Sequence, residues 1–278
     1  LKRFFQGPVN MLDTSRNYAM GESEKRIGMA IKENGGWPEN FVLSTKIDRN
    51  MDTLVLDKKR TRESVEESLK ALNVDSVDVL FLHDPEYVKD INDVTKKDGA
   101  LDELFKIKEE GLAKAVGLAM GRIDIMFPIL RKWDFDVIIN HNRYTLLNRE
   151  ADEMYSYAHS KNISIFNAAP YAGGVLAKGP SNFKKITYQD ATEEKLAPAR
   201  EIEKVCKKYN VEMGAAALQF SMKDKRITST ICGVTSVQSI EKNISWAETD
   251  IPEEFWNEVL KLPYSTKDPE SERTYTPG

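Results

Sequence analysis

Short apolar runs alternate with segments of helical periodicity along most of the chain. Val9–Leu12, Phe41–Thr45, Val77–Leu82, Ala115–Ala119, Val137–Asn140, Ile163–Phe166 and Ile227–Cys232 are brief, rich in β-branched and large apolar residues, and predict strands. Helices are predicted between and after them, at Glu22–Lys32, Thr61–Leu72, Leu101–Glu110, Ile123–Trp133, Asp152–Lys161, Thr192–Tyr209 and Ser236–Trp246. Val65, Leu69 and Leu72 show the spacing that puts apolar side chains on one helix face. Asn34-Gly35-Gly36 stops the first of these helices and Gly111 the third. Leu1 to Gly7 reads as the last turn of a helix closed by glycine, so an element upstream of Leu1 is expected. Lys178 to Asp190 is the longest expected loop, and the stretch after Leu262, rich in Pro, Glu, Ser and Thr, is expected to be irregular.

Strands that alternate strictly with helices imply right-handed crossovers and a parallel sheet, either closed as a barrel or open and doubly wound. An open nucleotide-binding sheet carries a glycine-rich phosphate turn after its first strand, and no G-x-G-x-x-G occurs in this chain. The expected fold is therefore an α/β (β/α)₈ barrel. Its active site would lie at the C-terminal ends of the strands, and its N-terminal strand would lie before Leu1. No interdomain linker stands out in the 278 residues, so a single domain over 1–278 is expected.

Composition narrows the partners. With 40 basic and 44 acidic residues the net charge is −4, which gives no electrostatic case for nucleic acid or an anionic membrane and leaves a small molecule as the expected partner. An oligomer stays open. Cys206 and Cys232 are too few for a disulfide framework, no apolar run approaches the roughly 18 residues of a membrane span, and a reducing cytoplasm is the expected location.

The chemistry concentrates at strand ends. Asp13, Lys46 and His83 each close a predicted strand, and Tyr18 follows the first of them by one loop. Any one of the four alone is more often a cap, a solvated strand end or rim packing than a functional group. Core packing gives no reason to collect a carboxylate, an ammonium, an imidazole and a phenol together. A phenol titrates near pH 10 and exchanges protons at neutral pH only where its surroundings favour the phenolate. An ammonium at Lys46 would lower Tyr18, Asp13 would hold that ammonium, and a neutral His83 would hydrogen-bond a substrate oxygen. Such a group suits proton transfer coupled to hydride transfer at a carbonyl or alcohol.

Asp13-Thr14-Ser15-Arg16-Asn17-Tyr18 followed by Gly21-Glu22-Ser23-Glu24 resembles the Asp-Thr-Ala-x-x-Tyr-Gly-x-Ser-Glu signature of the aldo-keto reductases, with Ala19 and Met20 lengthening the turn by two residues. The resemblance covers essentially the whole chain. It implies a (β/α)₈ barrel binding a nicotinamide cofactor without a Rossmann motif, with Asp13, Tyr18, Lys46 and His83 as catalytic tetrad. Phe135-Asp136-Val137-Ile138, Arg143-Tyr144-Thr145-Leu146-Leu147 and Ala168 to Ala177 are similar to the D-threo-aldose 1-dehydrogenase branch, which includes L-fucose and L-galactose dehydrogenases. That likeness implies oxidation of an aldose at C1, with Tyr18 taking the proton of the anomeric hydroxyl.

The resemblance also implies cofactor contacts at Asp13, His141, Ala169, Tyr171, Gly173, Gly233, Ser239, Lys242 and Asn243, and no metal. The family's carboxamide-holding Ser-Asn pair falls at Ala119-Met120 and its Gln at His141. The aromatic that stacks on the nicotinamide falls at Ala168. The Lys and Arg that clamp a 2′-phosphate in NADP-selective members fall at Gly233 and Ser239, which leans the expectation toward NAD over NADP. Three rivals compete with this reading. The same chemistry could run as an aldehyde or ketone reductase. The chain also resembles the family's potassium-channel β subunits, which would make it a nicotinamide-binding sensor. Tyr157-Ala158-His159-Ser160-Lys161 fits the Tyr-x-x-x-Lys of short-chain dehydrogenases, but the glycine-rich turn that must accompany it is absent.

Overall fold

The computed structural model describes residues 1–273, which fall into two compact units, Leu1–Ile138 and the chain from Ile139 onward. In the first unit the elements run β1 (Met11–Asp13), α1 (Glu22–Glu33), β2 (Val42–Ile47), α2 (Lys58–Leu72), β3 (Val77–His83), α3 (Asn92–Thr95), α4 (Ala100–Glu109), β4 (Ala113–Met120) and α5 (Ile123–Leu130). β5 (Val137–His141) begins in this unit and ends in the next. The strands β1 to β4 pair in parallel in chain order, with Met11 opposite Val42, Ser44 opposite Val79 and Val79 opposite Ala115. The second half of β3 is covered on both faces, with Leu80, Phe81 and Leu82 fully buried, which is why residues 79–82 read as an unbroken apolar run.

Helix ends here follow local chemistry. Asp57 caps α2 by accepting from the Arg60 N–H at 2.8 Å, and Asn73 closes it in the left-handed conformation at φ 57°. Phe4–Gln6 forms a single 3₁₀ turn ended by Gly7, as the glycine suggested. Its rings pack on Trp37 and Phe41, with Phe4 and Phe41 centroids 5.4 Å apart edge to face.

The second unit continues with α6 (Asp152–Ser160), β6 (Ser164–Ala168), α7 (Val175–Lys178), β7 (Lys185–Ile186), β8 (Gln189–Asp190), α8 (Glu193–Lys208), α9 (Met213–Met222), β9 (Ser229–Ile231), α10 (Val237–Glu248) and α11 (Glu253–Val259). β6 and β9 pair in parallel, Phe166 opposite Ser229. In this unit the single turn α7, the helices α9 and α11 and a hairpin were not legible. α9 buries nearly every residue, so it lacks the polar face that makes helical periodicity visible. α11 is only seven residues long and buries Phe255, Trp256 and Val259. The expected loop Lys178 to Asp190 holds the antiparallel pair β7 and β8, whose two turn residues, Thr187 and Tyr188, both have positive φ (47° and 69°). Turns of that kind ordinarily announce themselves with Asn-Gly or Asp-Gly, and Thr-Tyr gives no such signal.

Candidate active site

Asp13 is the last residue of β1, His83 the last of β3, and Lys46 the last but one of β2, so three parallel strands deliver the three side chains to one end of the first unit. Lys46, 2% exposed, is ion-paired with Asp13 at 6% and donates to the Thr14 carbonyl at 2.7 Å. The other Asp13 oxygen accepts from the Ser44 hydroxyl at 2.6 Å. Removing one member of such a pair strands a buried charge, which costs about 3–5 kcal/mol. The Lys46 ammonium also lies 4.6 Å from the centre of the Tyr18 ring. Burial is the largest influence on Lys46 and pulls its pKa down, but Asp13 and Tyr18 outweigh it and hold the ammonium above its ordinary range.

The Tyr18 ring is 42% exposed while its hydroxyl end is crowded by protein. That desolvation pushes the phenol up to about 12, against the pull of Lys46 and with help from Asp13 and Asp84. The expected lowering by Lys46 is therefore present but smaller than the opposing cost of burial. After Tyr18 the chain passes through three left-handed residues, Ala19 (φ 51°), Met20 (φ 54°) and Gly21 (φ 84°). This is the two-residue extension of the turn, and each non-glycine residue held in that conformation costs of order 1–3 kcal/mol. Gly21 has a backbone reason to be glycine, because an L side chain rarely adopts its φ of 84°.

His83 is not a simple neutral donor. Its Nδ1 is 2.6 Å from Asp48 Oδ1 and 3.3 Å from the Ser15 hydroxyl. The second Asp48 oxygen accepts from Ser15 Oγ at 2.5 Å and from the Asn17 N–H at 3.0 Å. Burial pushes the imidazole down, but Asp84 and Asp48 carry it above its ordinary value. Asp48 is pushed up by its own burial, yet His83, Ser15 and Asn17 hold it below the usual carboxylate range. Where the sequence reading expects a neutral His83, the two carboxylates beside it favour the charged form. Asp48, Ser15, Asp84 and Glu86 were missed from sequence. Asp48 had a signal, because it stands two positions beyond Lys46 and shares its side of the strand.

The expected cofactor residues beyond Asp13 lie in the second unit. Ala169 (φ 56°) donates its N–H to the Ile231 carbonyl at 3.2 Å. The Tyr171 hydroxyl donates to Asn243 Oδ1, so these two meet, and Cys232 is 3.7 Å from the same hydroxyl. Gly173 has φ 73°, and a Cβ there would come 2.7 Å from the Tyr188 backbone nitrogen. Gly233 lies between β9 and α10, and a Cβ added to it would meet nothing within 4 Å. Ser239 belongs to a capping box with Ser236 at the start of α10, and Lys242 is ion-paired with Glu212 at 2.7 Å. His141 stands 3.4 Å from Glu270, which is also bonded to the buried Arg143.

Comparison with known proteins gives this geometry its context. The model of the aldo/keto reductase family matches residues 1–262. L-galactose dehydrogenase of Arabidopsis thaliana is 28% identical, over 88% of this chain and 76% of its own. D-threo-aldose 1-dehydrogenase of Pseudomonas sp is also 28% identical, over 94% and 86%. The holo form of an aldo-keto reductase from Bacillus halodurans matches with a TM-score of 0.78 at 20% identity, covering 98% of this chain and 88% of that one. The fold is thus the (β/α)₈ fold of those structures. No helix among the described residues is long and apolar enough to cross a membrane. With a family model matched over nearly the whole length, the chain belongs to the aldo/keto reductase family, oxidoreductases that work with a nicotinamide cofactor.

Proposed function

We propose that this protein is an NAD(P)-dependent dehydrogenase that oxidises an aldose at C1, or a related alcohol, with Tyr18 as general acid and base. The observation that carries the reading is the buried Asp13–Lys46 pair set beneath Tyr18, with His83 held by Asp48 on the other side. Its two named relatives act on aldoses by their printed names, which supports the choice of substrate class. A cofactor bound here would supply the nicotinamide ring that accepts hydride from the substrate carbon. The protein's own part is proton handling and orientation. Tyr18, as the phenolate that Lys46 stabilises, takes the hydroxyl proton and releases it to solvent before the next turnover, Asp13 fixes Lys46, and His83 Nε2 orients the substrate oxygen.

For the cofactor, Asp13, His141, Ala169, Tyr171, Gly173, Gly233, Ser239, Lys242 and Asn243 are the proposed contacts. The open space at Gly233, just ahead of the α10 N-terminus, suits the approach of a phosphate to backbone N–H groups. Lys242 already pairs with Glu212, so a 2′-phosphate would have to compete for it, and NAD is the favoured form.

A phenol near 12 keeps its proton at neutral pH, so oxidation should accelerate with rising pH as the phenolate becomes available. The test follows absorbance of the reduced nicotinamide with NAD or NADP and a panel of L-galactose, L-fucose, D-arabinose and plain alcohols. Sugar-dependent reduction should appear and rise with pH, and Tyr18→Phe should lower kcat by about 10²- to 10⁴-fold while cofactor binding persists. Ordinary turnover by that variant would sink the mechanism. Silence across the panel with cofactor bound would replace the dehydrogenase by a carbonyl reductase or a sensor.

A further inference from the structure

β3 ends in two acids that the proton chemistry of Tyr18 and Lys46 does not use. Asp84 follows His83 directly, and Glu86 lies in the 3₁₀ turn Pro85–Tyr87. Asp84 is held in the left-handed conformation, φ 45° and ψ 50°, with its N–H donated to the Ala119 carbonyl at 2.8 Å. That bend folds its side chain back beside His83, so Asp84 Oδ2 stands 3.8 Å from Nε2, the ring nitrogen left over once Asp48 and Ser15 have taken Nδ1. Asp84 also bears on the Tyr18 hydroxyl. A substrate oxygen placed between Tyr18 and Nε2 therefore has a carboxylate at its side, within reach of whatever the neighbouring carbon carries.

Glu86 backs this carboxylate. One of its oxygens accepts the N–H groups of Gly121 at 2.8 Å and Arg122 at 3.3 Å, at the end of β4. The other is buried with no hydrogen-bond partner, and carboxyl oxygens of Asp84 and Glu86 approach within 4.8 Å. Two acids so placed resist full ionisation, and burial with the nearby charge of Asp84 pushes Glu86 up to about 7. Near neutral pH, Glu86 therefore holds a proton for much of the time.

We propose that Asp84, backed by Glu86, is a specificity-determining residue that accepts a hydrogen bond from the hydroxyl on the carbon next to the reacting one, selecting neutral polyhydroxy substrates. The Asp84 carboxylate also repels substrates carrying phosphate or carboxylate near that carbon. This inference rests on the dehydrogenase reading above.

The experiment compares the aldose of the panel that the wild-type protein oxidises fastest with its 2-deoxy counterpart, in wild type and in Asp84→Asn. Asparagine adopts the left-handed conformation readily, so the backbone at 84 is preserved. Wild type should prefer the 2-hydroxy sugar, and the ratio of kcat/KM between the two sugars should fall about 10- to 100-fold in Asp84→Asn, the span of one hydrogen bond to a charged group. A merely structural role would lower both rates and leave the ratio where it was, and an unchanged ratio overturns the inference. Wild type provides a second measurement should the variant fail to fold. It should oxidise the 2-hydroxy sugar at least about tenfold more efficiently than its 2-deoxy counterpart, and equal efficiency overturns the inference. Absence of turnover with every sugar would instead remove the dehydrogenase reading, and this one with it.

Discussion

Asp48 shows how one residue decides the charge of another. Its carboxylate is buried, 1% exposed, and its bond to His83 at 2.6 Å shifts the two groups in opposite directions. His83 is raised above 6.5 in the folded protein, so its share of stability is complete below that ordinary value and fades as pH climbs through the folded pKa. Asp48 is lowered below 3.8, so its share is present above that value and is lost as pH falls through the folded pKa. The pair therefore stabilises most between those limits. Asp48→Asn should move the His83 imidazole titration to lower pH, read from its ring-proton resonances. It should also cost about 2 kcal/mol near pH 6, with a smaller difference at high pH. An imidazole that titrates where it did before would exclude Asp48 as the group that holds His83.

At the scale of elements, the parallel ladder of the first unit depends on a close backbone approach beside β4. Gly117 lies so near the start of β5 that an added Cβ would meet the Val137 carbonyl oxygen at 2.0 Å and the Phe81 ring at 3.0 Å. The first of these is backbone, which cannot rotate away. Gly117→Ala should therefore destabilise by about 3 kcal/mol, the range for overpacking, and lower Tm on the order of 5–10 °C for a chain of this size. A melting curve that superposes on the parent's would show that the strands can separate freely at this point. The inner strands β2 to β4 were legible because most of their residues are buried and largely apolar, whereas α9 was not legible for a related reason: burial on all sides erases helical periodicity.

At the scale of the molecule, the described residues after Leu262, 263–273, form no helix and no ladder strand, yet they are tied down at several points. Ser265 exchanges backbone hydrogen bonds with Leu147 and Arg149 at 2.9 and 2.8 Å, and Asn148 donates to the Lys267 carbonyl at 2.9 Å. Arg143, 1% exposed, binds Glu270 and, at 2.6 Å, Asp268. Burial pushes the Glu270 carboxyl up, but His141 and Arg143 together hold it below the usual range. Arg143→Met would take away the buried cation that Asp268 and Glu270 share, leaving Glu270 with Arg273 and His141 alone, and should cost about 3–5 kcal/mol. Chemical denaturation should show an earlier midpoint, with exchange of the Ser265 and Arg149 amides accelerated. Unchanged amide protection would mean that the backbone bonds hold the segment without Arg143.

By itself the sequence determined the alternation of strand and helix, the parallel pairing, and the four residue types delivered to strand ends, because these follow from local periodicity and from motif spacing. It could not determine the state of those groups. The raised phenol of Tyr18, the charge-favouring surroundings of His83, and the company of Asp48, Asp84 and Glu86 arise from burial and from contacts between residues as many as 68 positions apart. Proton affinity is set by solvent exclusion and by neighbouring charge, and both exist only once the strands have been brought together.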